Sequence, residues 1–135
     1  MRAYKKIFVV SGLFAFMFTG IAATHPPNDE HYTNLKVLRK KISSEELERI
    51  MYAFERQLGV TCVYCHTTKK NVFPAEMDFA SDEKPEKKIA REMLKMTLKI
   101  NKKYFGAESN QQAIEKPKMW CRTCHRGFPV PPGTK

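Results

Sequence analysis

Two copies of one pentapeptide contain all four cysteines of this 135-residue chain, at residues 62–66 and 121–125. The shared pattern is Cys-x-x-Cys-His, which takes up a c-type haem covalently. Two thiols on nearly one face of a helical turn can add to the two vinyl groups of one porphyrin, and the next residue then coordinates the iron. The sequence therefore predicts two covalently bound haem c groups (iron), held by Cys62, Cys65 and His66 and by Cys121, Cys124 and His125.

Three other functions of paired cysteines compete with this interpretation. Two Cys-x-x-Cys pairs can form a Cys₄ zinc site, but the histidine that follows each pair is then unexplained. A thioredoxin-like redox pair requires a βαβ pattern, which this sequence lacks. Two structural disulfides suit an exported chain, but the histidines would again be accidental. Covalent haem accounts for all six residues.

Residues 1–23 have the pattern of an export segment. Arg2, Lys5 and Lys6 precede an uncharged stretch from 7 to 23, and cleavage is expected after Ala23. The alternative is that this segment is retained as an N-terminal membrane anchor, since its length is at the lower limit for crossing a bilayer. We predict one dihaem cytochrome c domain at 24–135, located in the periplasm, either soluble or anchored through residues 1–23.

The chain is strongly basic, with 24 Lys and Arg, 14 Asp and Glu and a formal net charge of +10. Such a surface aids solubility, and it also steers docking to acidic redox proteins or to anionic lipid headgroups. We predict redox protein partners, acidic or membrane-bound. Nucleic acid is not expected as a partner of an exported haem protein.

Two amphipathic helices are predicted, each preceding one haem motif. The first runs from Ser43 to Leu58, with a capping-box pattern at its start and Gly59 at its end. The second begins at Pro85 and runs to about Tyr104. Its expected inner face consists of Ile89, Met93, Met96 and Ile100.

The remaining segments have no regular pattern. Residues 24–41 are expected to be irregular, 68–84 and 106–118 to be polar loops, and no segment is predicted as a strand. The fold class is therefore all-α and loop-rich, built from a repeated unit of a Met-bearing helix, a turn and Cys-x-x-Cys-His.

Each iron needs a sixth ligand or an open position. Met51 and Met93 are the candidates, because each lies on the apolar face of the helix that precedes a haem motif. Met96 lies on the same face as Met93 and is not separated from it by the pattern. His25 and His31 are alternatives in the irregular segment.

With both axial positions filled, the protein would carry electrons by outer-sphere transfer and would not be an enzyme. No catalytic residue is predicted. A two-haem peroxidase is disfavoured, because it needs an open iron site and no acid–base pair accompanies either motif.

The chain resembles the cytochrome c subunit of photosynthetic reaction centres over residues 34–132. The resemblance is carried by residues 45–66, by Ala-Arg-Glu-Met-Leu-Lys-Met-Thr at 90–97 with Ile-Asn at 100–101, and by Cys-Arg-Thr-Cys-His-Arg-Gly at 121–127. It implies that Met93, not Met96, is an axial ligand, and that Met51 has the same role in its own helix.

Three features depart from that family. The family subunit carries four haems where this chain has cysteines for two. No histidine in residues 98–118 matches the family's further ligand, and the lipid-bearing N-terminal cysteine is missing. The resemblance therefore implies a two-haem module of that fold, and it does not by itself indicate a role in photosynthesis, because small relatives could serve respiratory chains equally well. A subunit that passes electrons within a larger membrane complex is the alternative to a separate carrier.

Overall fold

A computed structural model of the protein describes residues 32–134, so the export segment at 1–23, His25 and His31 lie outside the described residues. About half of the described residues are helical. The helices are α1 (Ser44–Leu58), α2 (Cys62–Cys65), α3 (Pro85–Phe105), α4 (Asn110–Glu115) and α5 (Cys121–His125), and the strands are β1 (Thr67–Thr68) and β2 (Met77–Asp78).

Helix α1 begins and ends where the sequence predicts. Ser43 is the N-cap, and its Oγ accepts a hydrogen bond from the backbone N–H of Glu46 at 3.2 Å. The Glu46 carboxylate does not return to the cap to complete the box. It accepts instead from Arg39 and, at 2.6 Å, from Gln111 Nε2, so this buried side chain links α1 to two other segments. Gly59 ends the helix in the left-handed region at φ 65°.

Helix α3 also confirms its predicted bounds, within one residue at its C-terminal end. Pro85 occupies the first turn, where its missing N–H costs no helical hydrogen bond. Gly106 ends the helix with φ 69°. Lys102 and Lys103 lie in the last turn, where the negative end of the helix dipole stabilises cations.

The prediction that this row of α3 faces the protein interior is wrong. Ile89, Met93 and Met96 are 59%, 38% and 47% exposed. Because a helix turns by about 100° per residue, this row lies nearly opposite the face that is buried. The face that packs against protein contains Lys87, Leu98 and Asn101, all buried. Helix α3 therefore has one packed face and one exposed apolar face.

The two predicted loops contain short regular elements. At the start of and within 68–84, β1 (which begins at Thr67) and β2 form an antiparallel pair with Thr68 opposite Met77. The fold is therefore not strictly all-α. Within 106–118, Ser109 caps α4 by accepting from the N–H of Gln112 at 3.1 Å. Neither element has a local hydrophobic pattern, which is why the sequence does not predict them; tertiary contacts such as the burial of Ala113 favour α4.

The apolar core is small and lies between α1 and the segment before it. Leu38, Ile42 and Ile50 form its buried cluster. Leu94 from α3 and Ile114 from α4 pack against that cluster. The described part of the chain contains no helix long and apolar enough to cross a membrane.

Candidate functional site

The first motif folds as the one-turn helix α2. The His66 N–H donates to Cys62 O at 3.0 Å, so the two thiols of this turn project from one short helical segment. Cys62 Sγ donates to Glu55 Oε1 at 3.1 Å, and this bond raises the pKa of the Cys62 thiol. Burial raises the pKa of Cys65. Both thiols are therefore held in the neutral form.

His66 leaves α2 in an extended conformation and lies against Phe79. The two ring centroids are 5.2 Å apart in an edge-on arrangement. Its Nδ1 is buried and has no hydrogen-bond partner among the described residues. Burial lowers the pKa of His66, and the charge of Lys87 lowers it further. The imidazole is therefore neutral, which is the form that coordinates a metal.

The second motif folds as helix α5. Trp120 is its N-cap, and the Trp120 N–H donates to Thr123 Oγ1 at 3.2 Å. His125 Nδ1 lies 3.0 Å from Phe128 O. Since a carbonyl can only accept, Nδ1 must carry a proton, and in the neutral ring Nε2 then has the lone pair. This is the tautomer that an axial haem ligand requires, with the second nitrogen fixed by a backbone carbonyl.

Each motif packs against a helix of the other half of the chain. Helix α2 lies against α3, and Lys84 Nζ donates to Val63 O. Helix α5 lies against α1, where Gln57 Oε1 accepts from the Arg122 N–H at 3.4 Å. The two predicted sites are therefore interleaved in the fold.

The two methionines predicted as axial ligands have different surroundings. Met51 is half-buried and packs against the apolar cluster of α1. Met93 lies on the exposed apolar face of α3, one turn from Met96. Their coordination to iron stays a prediction.

A charged network fastens the loop that covers His66. Asp82 accepts from Lys36 Nζ at 2.7 Å and from Arg91 Nη1 at 2.8 Å, and these contacts hold the pKa of Asp82 well below its ordinary value. Lys87 is buried and donates through Nζ to Phe79 O and Ser81 O at 2.8 and 2.6 Å. The loop thus depends on cations from α3 and from the segment before α1. The sequence pattern gave no sign of Lys87, since a lysine on an amphipathic helix normally faces solvent.

Within residues 32–134 no three His, Cys, Asp or Glu side chains converge to hold a metal ion, and all four cysteines are free. The features present do fit haem c. Each motif has two free thiols and a histidine held neutral or in the required tautomer, and exposed apolar surface lies on α3 and beside both motifs.

A sequence model of the family described as photosynthetic reaction centre cytochrome C subunit matches residues 14–134. The chain belongs to this family. Membership confirms the resemblance found from the motifs and implies covalently bound haem c. The match includes both haem motifs and both long helices.

Individual relatives agree with this membership. The chain is 34% identical, over 78% of its length, to the photosynthetic reaction center cytochrome c subunit of Rubrivivax gelatinosus. It is 31% identical over 71% of its length to cytochrome c-554 of Chloroflexus aurantiacus, and 30% identical over 81% to the reaction center subunit of Thermochromatium tepidum. The matched segments cover only 25%, 20% and 24% of these three relatives, so the chain spans a quarter or less of their length.

Proposed function

We propose that this protein is a dihaem c-type cytochrome that carries electrons by outer-sphere transfer between redox partners outside the cytoplasm. Each bound haem would supply an iron that changes oxidation state by one electron. The chain's own contribution is to attach, orient and ligate two such groups. The residues assigned to this are Cys62, Cys65, His66 and Met51 for the first, and Cys121, Cys124, His125 and Met93 for the second.

The observation that best supports this function is the exposed apolar face of α3. Ile89, Met93 and Met96 form a row that no described protein segment covers, on a helix whose other face is already packed. Contiguous exposed apolar surface in a small protein marks a binding site. A flat apolar porphyrin attached at a nearby motif would cover this row and bring a thioether sulfur within reach of its iron.

Ligation by histidine and methionine decides between carrier and enzyme. Both axial positions would be filled by protein atoms, so no substrate can bind the iron. Methionine stabilises the ferrous state and raises the reduction potential, which suits a carrier. Burial of His66 and the carbonyl contact of His125 would tune the two potentials separately.

A groove rich in lysine is the proposed docking surface for an acidic redox partner. It has a volume of about 550 Å³ and lies between α3 and the segment before α1. Its lining includes Lys99 and Lys102, for which the described residues provide no carboxylate within ion-pair distance. Unpaired cations on the surface of an electron carrier steer an acidic protein into contact and speed its association.

The second candidate is an electron-transfer subunit of a larger membrane complex. It is favoured by the relatives, of which those from Rubrivivax gelatinosus and Thermochromatium tepidum are named as reaction center subunits. Mass spectrometry that finds residues 1–23 intact, together with co-purification with membrane proteins, would favour the subunit. A mature chain that is freely soluble in the periplasm would favour the separate carrier.

One preparation tests the haem content and the function together. The intact mass of the exported protein should exceed that of the bare chain by two haems, and a redox titration should resolve two one-electron steps. A colourless protein with the mass of the bare chain would refute the proposal.

Three single variants test the axial ligands. Met51→Ala and Met93→Ala should each open one haem to cyanide or carbon monoxide, lower its potential and weaken the Met–iron absorption band at roughly 695 nm. Met96→Ala is the matched control, since Met96 lies on the same face of α3, and should leave the band intact. If Met51→Ala and Met93→Ala both keep the full band, the ligand assignment is wrong.

A further inference from the structure

Asn101 is the most deeply buried polar side chain of the described residues, with 1% of its surface exposed. It lies near the C-terminal end of α3, on the face that packs against protein. An amide buried without partners is costly, because it gives up its hydrogen bonds to water. Its presence in a core position therefore requires compensating contacts.

All of the hydrogen-bonding capacity of this amide is used. Nδ2 donates to Thr97 O at 3.0 Å and to Met119 O at 2.9 Å. Oδ1 accepts from the backbone N–H groups of Lys118 and Met119 at 2.8 and 2.9 Å. Three of these four bonds reach a segment 17 or 18 residues away, so the amide fastens that segment to α3.

The fastened segment leads directly into the second haem motif. Residues 118 and 119 are followed by Trp120, the N-cap of α5, and then by the first thiol of the motif at Cys121. The helix on the other side of the contact carries Met93, whose carbonyl accepts from Thr97 Oγ1 at 2.9 Å. Asn101 thus connects the helix that carries the proposed ligand to the segment that directly precedes the haem attachment site.

The second unit needs such a link more than the first. In the first unit only residues 59–61 separate α1 from α2, so the chain itself limits how far the motif can move from its helix. In the second unit residues 106–120 separate α3 from α5. Because a connection of that length can span many distances, the distance between α3 and α5 is determined by non-covalent contacts.

We propose that Asn101 is a positioning residue that sets the distance between Met93 and the second haem motif. By holding residues 118–119 against α3, it keeps the methionine sulfur within bonding range of the iron bound at His125. This role rests on the proposed function. The role depends on the hydrogen bonds, because a leucine, with the same branching, could fill the site but could not bond to residues 118 and 119.

The test compares matched asparagine variants of the haem-loaded protein. Asn101→Leu keeps the branching at Cγ in a somewhat larger side chain and removes all four bonds, whereas Asn101→Asp keeps the acceptor and removes the donors. Asn110→Leu and Asn110→Asp are the controls, at an exposed position in the first turn of α4. Redox titration and the Met–iron absorption band report on each centre.

In Asn101→Leu one of the two haems should lose its Met–iron band and drop in potential, so that about half of the band remains. The other haem should keep its potential. Asn101→Asp should give a smaller change of the same kind, and both Asn110 variants should match the wild type. A variant that is less stable but keeps both potentials and the full band would overturn the positioning role, as would equal changes at both haems.

A measurement on the unmodified protein remains decisive if the Asn101 variants fail to fold. The amide hydrogens of Lys118 and Met119 should exchange with solvent as slowly as helical amides, although neither residue is in a helix. Exchange at the rate of exposed loops would overturn the proposal. The intact mass distinguishes this outcome from failure of the proposed function. If the wild-type chain has the mass of the protein without haem, the proposed function is wrong and the positioning role is wrong with it.

Discussion

Replacement of Gly59 by alanine tests how closely the second haem motif packs on the first helix. Gly59 ends α1 with φ 65°, a conformation that costs an L-residue about 1–2 kcal/mol. A Cβ built on Gly59 would lie 2.1 Å from Gly127 O, which belongs to the turn that follows α5. Real Cβ atoms essentially never approach another heavy atom closer than 3.0 Å, so one of the two backbones must move.

The two contributions can be separated with a second glycine. Gly106 ends α3 with φ 69°, but a Cβ there meets nothing within 4 Å. Gly106→Ala should therefore cost only the backbone conformation, about 1–2 kcal/mol. Gly59→Ala adds overpacking, typically about 1–3 kcal/mol, for a total of about 2–5 kcal/mol. Against a total stability of about 5–15 kcal/mol this is a large loss.

Guanidinium unfolding of the haem-loaded variants, followed by circular dichroism, measures both free energies. The expected result is that Gly59→Ala is less stable than Gly106→Ala by about 1–3 kcal/mol. Redox titration of Gly59→Ala should also show a change at the haem of the second motif, since the displaced turn begins directly after its histidine. Equal free-energy losses in the two variants would refute the close packing of Gly59 on Gly127.

Two further predictions concern charged residues. The pKa of Asp82 is lowered in the folded state, so its contribution to stability is present at neutral pH and is lost as pH falls below about 4, the pKa of an unfolded aspartate. Asp82→Asn should therefore flatten the acid side of a plot of melting temperature against pH. An unchanged plot would contradict the stabilising role of the Asp82 network. Lys99→Glu with Lys102→Glu should slow electron transfer with an acidic partner by about tenfold or more at low ionic strength, and should flatten the salt dependence. The control is Lys40→Glu with Lys41→Glu, two positions outside the groove. An equal effect in the control would indicate that the rate depends on net charge and not on docking at the groove.

Local signals in the sequence predict both long helices because each is marked at both ends. Ser43 and Gly59 bound α1, and Pro85 and Gly106 bound α3, and each acts through its own backbone or side-chain chemistry. The assignment of the thiols and histidines to two haem sites comes from a motif that is continuous in sequence, and it stays a prediction. The choice of sixth ligands is still a prediction.

The exposed apolar face of α3 shows the limit of a prediction from hydrophobic periodicity. A row of apolar residues at helical spacing predicts a covered face, but it does not say whether protein or a cofactor covers it. Here Ile89, Met93 and Met96 face outward, while Lys87 and Asn101 are buried. The burial of these polar residues depends on partners distant in sequence, such as Met119, so no local pattern indicates it.

The small core leads to the last prediction, that the chain without haem is largely unfolded. Only five hydrophobic residues are buried among the 103 described positions 32–134, whereas fourteen large hydrophobic side chains are exposed. A chain of this size needs additional cross-links or cofactors when its own core is this limited. Covalently attached porphyrins would cover part of the exposed surface and tie each motif to its helix.

The variant with all four cysteines changed to serine removes both attachments and leaves the sequences of the two long helices, α1 and α3, untouched. Its helical circular dichroism should fall far below that of the haem-loaded protein, and its amide proton spectrum should collapse to the range of unfolded chains. The intermediate control is Cys121→Ser with Cys124→Ser, which keeps the first attachment. Because α5 packs on α1, this variant should lose stability in both halves and not only in the second. A haem-free chain that unfolds cooperatively with native helix content would show that the polypeptide core alone is sufficient, and the structural role assigned to the haems would then be wrong.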